Sequence, residues 1–540
     1  MWQYKTSRRD FLKISAMTSA ASLFNLESLK AMPAAAEDPE KYPVVVIGAG
    51  LGGLTCAAYL AKAGLPVSVL EQHHVPGGYA TSFERGDFEF EVSLHAISAK
   101  NNATYTICND LGLLDKIELI GLQQSHRLIS KGRDLILPDQ DVEAYIQLLS
   151  ENFPAEKTGI RNFVTEMLGI QKEVYKLFLN NNEYITLLFP FQYSKMWDIR
   201  NKTLKNLLDE HVQHPRLKDD LSYLCGYYGL PPSKLSGFYY ANSVADYLKN
   251  GSYYIKGRSQ DLSNALADII REHGGTLSLN TPAESIIVKS GEVTGVRTAG
   301  GNFLPARFVV SNASLPDTFG SMLSSDVDYS DYRKTISEFR PSISSFCVWI
   351  GLDSRLRGQI PGCNIHIGSE DGVEEGYHHS LKCDADRVGY TITLFDNYYE
   401  GYSMPGKSTI MLTFLSGYQP WKPFEKDYFS GNKKEYYVRK EKIAETLIRR
   451  TEKNLIPGLS SMVEEVDSAT PLTNIRFTGN PEGAIYGYEQ AMNNQFMDRI
   501  KNNTPVQGLY IASAWGYPGG GFTGVMRGGL RTSKMILDSL

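Results

Sequence analysis

The chain has 540 residues, 42% of them hydrophobic, and a formal net charge of −5, with a pI near 6.1. This composition excludes a disordered chain, and the length allows two to four domains. The acidic balance and the lack of a Lys/Arg-rich cluster exclude nucleic acid as an expected partner. Beyond the N-terminal segment, no apolar run reaches the roughly 20 residues that a membrane-spanning helix needs.

The first forty residues have the pattern of a targeting signal. Ser7 to Lys13 holds an arginine pair followed by Phe-Leu-Lys, Ile14 to Phe24 is a short apolar stretch, and Ala34 to Ala36 offers a cleavage site. This order predicts a twin-arginine signal peptide and linker over residues 1–40. The alternative is an arginine pair on a disordered tail. We therefore expect the twin-arginine translocase as a partner, and export to the periplasm or cell surface of a bacterium.

A dinucleotide-binding fingerprint follows the linker. Tyr42 to Ile47 is a β-branched run typical of a buried parallel strand, and a predicted helix spans Leu54 to Gly64. The glycine-rich sequence between them supplies the tight turn, the close backbone approach to a pyrophosphate and the contact between helix and strand. The residues expected to bind the nucleotide here are Gly48, Gly50, Leu51, Gly52 and Gly53.

A second strand, Val67 to Leu70, ends in Glu71 and Gln72. An acid at this distance from the fingerprint is expected to accept hydrogen bonds from ribose hydroxyls, which argues against a 2′-phosphate. The next segment resembles the second glycine pair of the FAD-binding superfamily that contains amine oxidases and carotenoid desaturases. That likeness predicts non-covalent FAD, bound with the help of Gly77, Gly78, Tyr79, Ala80 and Thr81.

From Tyr42 to Leu540 the chain resembles the phytoene desaturase family, which includes carotenoid isomerases and retinol saturases. The likeness depends on Leu70 to His73, on Phe90 to His95 and on Tyr254 to Leu262. It implies an α/β fold, with an FAD-binding Rossmann-like domain of amine-oxidase/phytoene-desaturase type and a discontinuous mixed α+β substrate domain. Arg258 stands where the family usually has glycine, and would alter the local charge if it faced the flavin or the substrate.

The resemblance also implies the remaining cofactor contacts. The strand that begins at Ala283 is expected beside the adenine, and Asn312 ends the strand that returns to the dinucleotide domain. A C-terminal strand, Leu509 to Ala512, leads to a glycine-rich loop that is expected to wrap the flavin, followed by a helix from Val525 to Leu537. The loop residues concerned are Ala514, Gly519, Gly520, Phe522 and Thr523. Isomerase-type relatives often carry an acid at Ala514, whereas bacterial desaturases also have alanine.

The predicted domain division follows these motifs. The FAD-binding domain comprises residues 41–100, 251–320 and 470–540, and the substrate-binding domain comprises 101–250 and 321–469. The first substrate segment is expected to be mainly helical. The second should contain strands at Ser344 to Leu352 and Ser408 to Leu415, and an amphipathic helix around Leu447.

The predicted function is FAD-dependent redox chemistry on carbon–carbon bonds of a lipophilic polyene, by desaturation, saturation or cis–trans isomerisation. Quinone or oxygen is the expected electron partner, because NAD(P) is scarce outside the cytoplasm. His95 is the candidate proton donor or polarising group, although a structural histidine is an equally good interpretation. The alternatives are an exported flavin amine oxidase and a non-catalytic flavin-binding protein.

Two further features bear on partners. The six cysteines lack metal-ligand spacing, so we expect no metal site and buried thiols, with a Cys363–Cys383 disulfide as an open alternative. Ile185 to Phe191 is an apolar segment followed by basic residues. It is a candidate for peripheral membrane contact, although core packing is the favoured explanation.

Overall fold

The computed structural model describes residues 43–180, 185–495 and 498–540. The predicted twin-arginine signal lies outside these residues. No helix within the described ranges combines the length and apolar character needed to cross a bilayer.

The described residues form twenty strands and fifteen α-helices of six residues or more. The strands are β1 (Val44–Ile47), β2 (Val67–Leu70), β3 (Ser82–Arg85), β4 (Phe88–Glu91), β5 (Leu119–Gly121), β6 (His126–Ser130), β7 (Arg133–Ile136), β8 (Tyr253–Ile255), β9 (Thr276–Ser278), β10 (Ala283–Lys289), β11 (Glu292–Thr298), β12 (Phe303–Pro305), β13 (Phe308–Ser311), β14 (Leu323–Ser325), β15 (Ser344–Leu352), β16 (Asn364–Ile367), β17 (Tyr390–Leu394), β18 (Ser408–Ser416), β19 (Val463–Ala469) and β20 (Leu509–Ile511). The helices are α1 (Leu51–Lys62), α2 (Ala103–Leu111), α3 (Val142–Asn152), α4 (Lys157–Leu179), α5 (Ser194–Ile199), α6 (Leu204–His211), α7 (Pro215–Leu221), α8 (Gly237–Asn250), α9 (Arg258–Glu272), α10 (Ser330–Ser337), α11 (Val373–Lys382), α12 (Glu425–Ser430), α13 (Lys434–Asn454), α14 (Pro471–Thr478) and α15 (Phe522–Leu537).

A five-stranded parallel sheet lies at the centre of the dinucleotide-binding half, in the order β20-β13-β1-β2-β9. All four residues of β1 are at most 5% exposed, as the continuous β-branched run predicts for a strand covered on both faces. α1 and α15 touch at a pair of glycines, since a Cβ on Gly529 would lie 2.4 Å from the carbonyl oxygen of Gly52. Residues more than 450 positions apart in sequence therefore build one layer.

A seven-stranded sheet forms the other half, in the order β19-β15-β18-β17-β16-β6-β7. β15 matches its predicted bounds and is buried along its whole length. β6 and β7 come from the segment predicted to be mainly helical, and β6 joins the sheet by parallel pairing with β16. Neither strand has a clear strand pattern in the sequence, because each is short and carries polar or charged residues.

A smaller four-stranded sheet, β12-β11-β10-β14, follows α9, and its strands β10, β11 and β12 pair antiparallel in chain order. Two predicted helix starts are too late by three residues: α1 begins at Leu51 rather than Leu54, and α15 begins at Phe522 rather than Val525. In both cases a glycine, Gly50 or Gly521, occupies the N-cap. The glycine-rich loops therefore run directly into their helices.

All six cysteines are buried free thiols, so the Cys363–Cys383 disulfide is not formed. The Cys363 thiol donates to the carbonyl oxygen of Gln123 at 3.3 Å, whereas Cys383 is the C-cap of α11. Burial raises the pKa of both thiols. The prediction of buried thiols is thus confirmed.

Candidate active site

A cavity of about 850 Å³ lies between the five-stranded and the seven-stranded sheets. Its size is at the upper end of the range for small-molecule and cofactor sites. Most of the predicted site residues line it: Gly48, Gly50, Leu51, Gly52, Glu71, Gln72, Gly77, Gly78, Tyr79, Ala80, His95, Ala283, Asn312, Ala514, Gly520, Phe522 and Thr523. Three predicted residues lie outside the lining, within or beside the glycine-rich loops: Gly53, Thr81 and Gly519.

The N-terminus of α1 is open toward the cavity. Its N-cap is Gly50, no side chain caps the helix, and no acid lies in its first turn. The first backbone N–H groups of a helix lack intrahelical acceptors, so this end offers donors and a positive dipole to an anion. A Cβ on Gly53 would lie 2.3 Å from the Gly48 carbonyl oxygen. Gly53 therefore allows the close contact of α1 with β1, although it does not line the cavity.

Asn312 connects this helix end to the returning strand β13. Its side-chain oxygen accepts from the Gly50 N–H at 3.0 Å, and its amide nitrogen donates to the Ala512 carbonyl at 2.5 Å. A Cβ on Gly50 would lie 2.5 Å from that Asn312 oxygen. The side chain thus joins β1, β13 and β20 at the point where all three strands end.

Glu71 is 7% exposed and is fixed by the backbone. One carboxylate oxygen accepts from the Ala49 N–H at 2.7 Å and the other accepts from the His73 N–H at 2.8 Å. The carboxylate is thereby held at the cavity wall, with lone pairs remaining for hydroxyl donors. The neighbouring His73 lines the cavity and stacks on the Phe477 ring, with the ring centroids 5.2 Å apart.

The glycine pair Gly77-Gly78 lies against the fingerprint loop around Gly50. The Gly77 N–H donates to the Ala49 carbonyl at 2.8 Å, and a Cβ on Gly78 would be 3.5 Å from the Gly50 Cα. Gly77 and Gly78 have φ angles of 128° and 62°, which favour glycine. Thr81 points away from the cavity and donates to the side-chain oxygen of Gln260.

A buried arginine supports the C-terminal loop from behind. Arg499 is 3% exposed and donates to the carbonyl oxygens of Gly516 and Ala514, each at 2.8 Å. It also donates to the Asn494 carbonyl, the Gln490 side chain and the Tyr239 hydroxyl. A Cβ on Gly519 would lie 2.9 Å from the guanidinium carbon. Within the described ranges, Arg499 makes no ion pair with a carboxylate.

His95 lines the cavity beside β17 of the seven-stranded sheet. Its Nδ1 is 2.7 Å from the Thr393 hydroxyl, and Tyr398 donates to the His95 carbonyl oxygen at 2.5 Å. One end of the Asn364 amide is 3.1 Å from both hydroxyl oxygens. This end is the amide oxygen, which accepts from the Thr393 hydroxyl. The Thr393 hydroxyl lies between the amide and Nδ1 and so fixes the orientation of the imidazole ring.

Two more histidines lie beside His95, and the sequence analysis missed both. His126 Nδ1 and His366 Nε2 are 3.0 Å apart, and the Tyr227 ring stacks on His95 at 5.7 Å and meets His366 edge-on at 5.9 Å. Burial lowers the pKa of His95 to about 4 and, with a smaller effect of His95, that of His126 to about 3. Burial also lowers the pKa of His366. All three imidazoles are therefore uncharged at neutral pH.

Two buried charged residues of the resemblance motifs lie outside the cavity lining. Glu91 is fully buried and accepts from Tyr254, Ser259, Ser93 and Leu94, and burial raises its pKa. Arg258 pairs with Glu89 at 2.8 Å and lies over the Tyr402 ring at 4.3 Å. Arg258 therefore does not place its charge on the cavity wall, because it lies outside the lining and pairs with Glu89.

A sequence model of the flavin containing amine oxidoreductase family matches residues 51–537. The chain belongs to this family. It is 25% identical over 537 residues to all-trans-retinol 13,14-reductase of Danio rerio, covering 93% of this chain and 86% of that protein. It is 24% identical over 522 residues to the chloroplastic prolycopene isomerase of Daucus carota, covering 92% and 82%.

Solved structures of the same fold include putrescine oxidase with bound putrescine, at 14% identity and a TM-score of 0.61, covering 92% of this chain and 99% of that one. The protein is an FAD-dependent oxidoreductase. The residues present suit FAD, because the open N-terminus of α1, the glycines Gly50, Gly77 and Gly78, and Glu71 together form a cradle along the cavity wall.

Proposed function

We propose that this protein transfers two electrons between FAD and a carbon–carbon bond of a lipophilic polyene, as a desaturase, a saturase or a cis–trans isomerase of a carotenoid- or retinoid-like substrate. The observation that carries the proposal is the continuity of one cavity. It runs from the α1 N-terminus and Glu71, past Trp349 and Met411, to an aromatic wall that includes Tyr227 and Tyr247. A flavin and an apolar chain can therefore share one enclosed space.

The electrostatics of the wall support an uncharged substrate. The imidazoles of His95, His126 and His366 are neutral, because burial lowers the pKa of each. Burial also raises the pKa of Tyr227 and Tyr228, so these phenols stay neutral. A hydrocarbon chain loses little on entering such a cavity, whereas a charged ligand would lose its hydration. The relatives named retinol reductase and prolycopene isomerase are enzymes of polyenes.

His95 is the proposed proton-transferring group. The hydrogen bonds among Tyr398, Asn364 and Thr393 hold the ring through its Nδ1 atom. A neutral imidazole can donate a hydrogen bond from one ring nitrogen and accept a proton at the other, so His95 can polarise a substrate atom or pass a proton. FAD supplies the electron transfer when bound, so the protein has to orient the substrate, exclude water and control this proton.

The test is reoxidation of photoreduced holoenzyme without oxygen. Addition of all-trans-retinol, prolycopene or putrescine to separate samples is followed by the return of flavin absorbance and by product analysis. Reoxidation by a polyene with a saturated product supports a saturase. Isomerised prolycopene without net reoxidation supports an isomerase. If a polyene reduces the flavin of the oxidised enzyme and a newly desaturated product appears, the result supports a desaturase. Rapid reduction of oxidised enzyme by putrescine would instead establish an amine oxidase, and inertness toward all ligands would establish a flavin-binding protein without turnover.

We also propose that the substrate enters from a membrane surface. Core packing is the wrong explanation for most of the apolar segment after α4: Ile185 is 57% and Phe191 is 61% exposed, and Leu187 and Leu188 are also exposed. Leu179, at the end of α4, is exposed too, while Tyr175 and Phe178 of the same helix line the cavity. The apolar patch thus lies at the end of a helix that borders the cavity, which suits an interfacial contact.

Vesicle co-sedimentation tests this contact. Vesicles of phosphatidylcholine with phosphatidylglycerol should retain the wild-type protein, and Phe191→Ser with Ile185→Ser should weaken retention severalfold. Phe429→Ser is the matched control, because Phe429 is 51% exposed on α12. Equal retention of all three proteins would contradict the proposal.

The export and electron-partner predictions stand as further proposals. The arginine pair Arg8-Arg9 and the Ala34 to Ala36 site support twin-arginine export to the periplasm or cell surface. Fractionation of cells that express the wild type or Arg8→Lys with Arg9→Lys tests it. Quinone or oxygen is proposed as the electron partner, and stopped-flow reoxidation of the reduced enzyme by each compares them.

A further inference from the structure

One polar group of the cavity takes no part in the arrangement around His95. Asp246, on α8, lines the cavity and is half-buried. Its carboxyl accepts from Asn102 at 2.7 Å, from Asn250 at 2.6 Å and from Gln171 at 3.1 Å. These donors come from the start of α2, the end of α8 and the middle of α4. Three helices therefore converge on one carboxyl group in an otherwise largely apolar cavity.

The charge of this group has no counterpart. Within the described ranges, no Lys, Arg or His forms an ion pair with Asp246, and its side-chain partners are the neutral amides given above and the Ser98 hydroxyl. Burial raises its pKa, although these amide and hydroxyl donors act in the opposite direction. The environment therefore disfavours a fixed negative charge at this position.

Gln171 gives an independent sign of a missing partner. It is 4% exposed, it lines the cavity, and its side-chain oxygen has no hydrogen-bond partner. Buried polar groups are nearly always paired, and an unpaired one is costly. The Gln171 nitrogen is already used toward Asp246. The unused acceptor therefore calls for a donor that enters the cavity.

The geometry points to Asp246 and Gln171 as a subsite for an uncharged hydroxyl group at one end of the polyene substrate. A hydroxyl can donate one hydrogen bond and accept others, so it suits both the Gln171 oxygen and the carboxyl group. This inference rests on the proposed function. It adds that the substrate is an oxygenated polyene rather than a pure hydrocarbon.

The position of the subsite relates it to the cofactor end of the cavity. Asn102 is the N-cap of α2, and the next-but-one residue, Thr104, lies 2.7 Å from the Thr523 hydroxyl. Thr523 belongs to the first turn of α15, in the loop region that the family resemblance assigns to the flavin. A hydroxyl held by Gln171 therefore places the oxygenated end of the chain near the loop that the resemblance assigns to the flavin.

Paired ligands test the subsite in the full-length holoenzyme. All-trans-retinol and retinyl methyl ether share the polyene, but only retinol can donate a hydrogen bond. Binding to the oxidised enzyme is measured by perturbation of the flavin absorbance. We expect retinol to bind about tenfold more tightly than the ether, since one hydrogen bond to a buried, otherwise unpaired acceptor is lost. Gln171→Met should reduce this preference to about threefold or less, and Asp246→Asn should also weaken it.

Val174→Ala is the matched control, because Val174 lies on the same helix and lines the cavity without a polar group. It should change the affinities for both ligands equally. Equal binding of retinol and ether in the wild type, or a preference that survives both Gln171→Met and Asp246→Asn, would overturn the subsite. Retinylamine that binds more tightly than retinol and requires Asp246 would replace the hydroxyl with a cation. If ether and prolycopene bind and turn over without any hydroxyl preference, only the subsite fails. If no polyene binds or turns over, the proposed function fails.

Discussion

The guanidinium of Arg499 should decide whether the loop from Ala514 to Gly520 keeps its shape. Arg499→Met preserves the length of the side chain but removes five hydrogen bonds, three of them to backbone carbonyls. Tyr239 and Gln490 can find new partners by rotation, whereas the three carbonyls cannot. A buried acceptor without a donor costs about 1–3 kcal/mol, so three give a gross loss of roughly 3–9 kcal/mol.

Part of this loss is offset. The variant no longer buries a guanidinium that lacks a carboxylate partner among the described residues, and water can reach some of the carbonyls. We therefore expect the free energy of unfolding to fall by about 3 kcal/mol, which is a large share of the 5–15 kcal/mol of an ordinary domain. The loop borders the cofactor cavity, so FAD affinity should fall as well.

Urea unfolding followed by flavin and tryptophan fluorescence measures both effects. Arg531→Met is the control, because Arg531 lies over the Tyr517 ring at 5.0 Å on the other side of the same loop and should cost no more than about 1 kcal/mol. A loss below 1 kcal/mol in Arg499→Met, with FAD retained at wild-type affinity, would refute the assigned role of Arg499.

Three further predictions concern other parts of the structure. Gly53→Ala places a Cβ 2.3 Å from the Gly48 carbonyl oxygen and should weaken FAD binding at least about tenfold, as measured by equilibrium dialysis. Gly320→Ala is the control, because nothing lies within 4 Å of the added Cβ, and it should leave FAD affinity unchanged. Wild-type FAD affinity in Gly53→Ala would contradict the close contact. The pKa of His126 in the folded state is lowered to about 3. The folded state therefore binds fewer protons than the unfolded state between about pH 3 and 6.5. The free energy of unfolding that depends on this group decreases as the pH falls through that window, by about 1.4 kcal/mol per pH unit. His126→Leu should flatten the decline in urea midpoint between pH 7 and 5, and exposed His273→Gln should leave it unchanged; an identical slope in His126→Leu would be the contrary result. Glu91→Gln replaces a carboxylate that accepts from five donors with an amide whose NH2 group faces some of those donors. The melting temperature should fall by several degrees, corresponding to about 2 kcal/mol, whereas the exposed control Glu84→Gln should leave it unchanged. An unchanged melting temperature in Glu91→Gln would show that the hydrogen bonds of Glu91 contribute little to stability.

The sequence predicted those parts of the site whose chemistry is local. The turn at Gly48, the acid at Glu71 and the glycine pair at Gly77-Gly78 each sit within a short strand–loop motif, and the structure places them around one cavity. Their hydrogen bonds join neighbouring loops, as in the contact of Ala49 with Glu71. Local sequence motifs were therefore sufficient to predict the cofactor end of the cavity.

The substrate end could not be predicted in the same way. Asp246 and Gln171 meet across 75 positions, and His126 and His366 meet across 240. Each residue alone has the appearance of an ordinary polar position on a helix or a short strand. Arg499 supports its loop through backbone carbonyls, which any sequence supplies, so no pattern of residue types could mark it. Pairing between distant elements, rather than propensity, determines these positions.

The arrangement of β1, β13 and β20 has a consequence for biosynthesis. The ribosome must translate through residue 511 before the edge strand of the cofactor sheet exists, and through residue 537 before α15 is complete. Until then the nascent chain exposes the unpaired side of β13, and such long-range pairing is slow to form. A nonsense mutation between codons 54 and 509 would leave the glycine fingerprint intact in sequence, yet yield a polypeptide without β20 and α15.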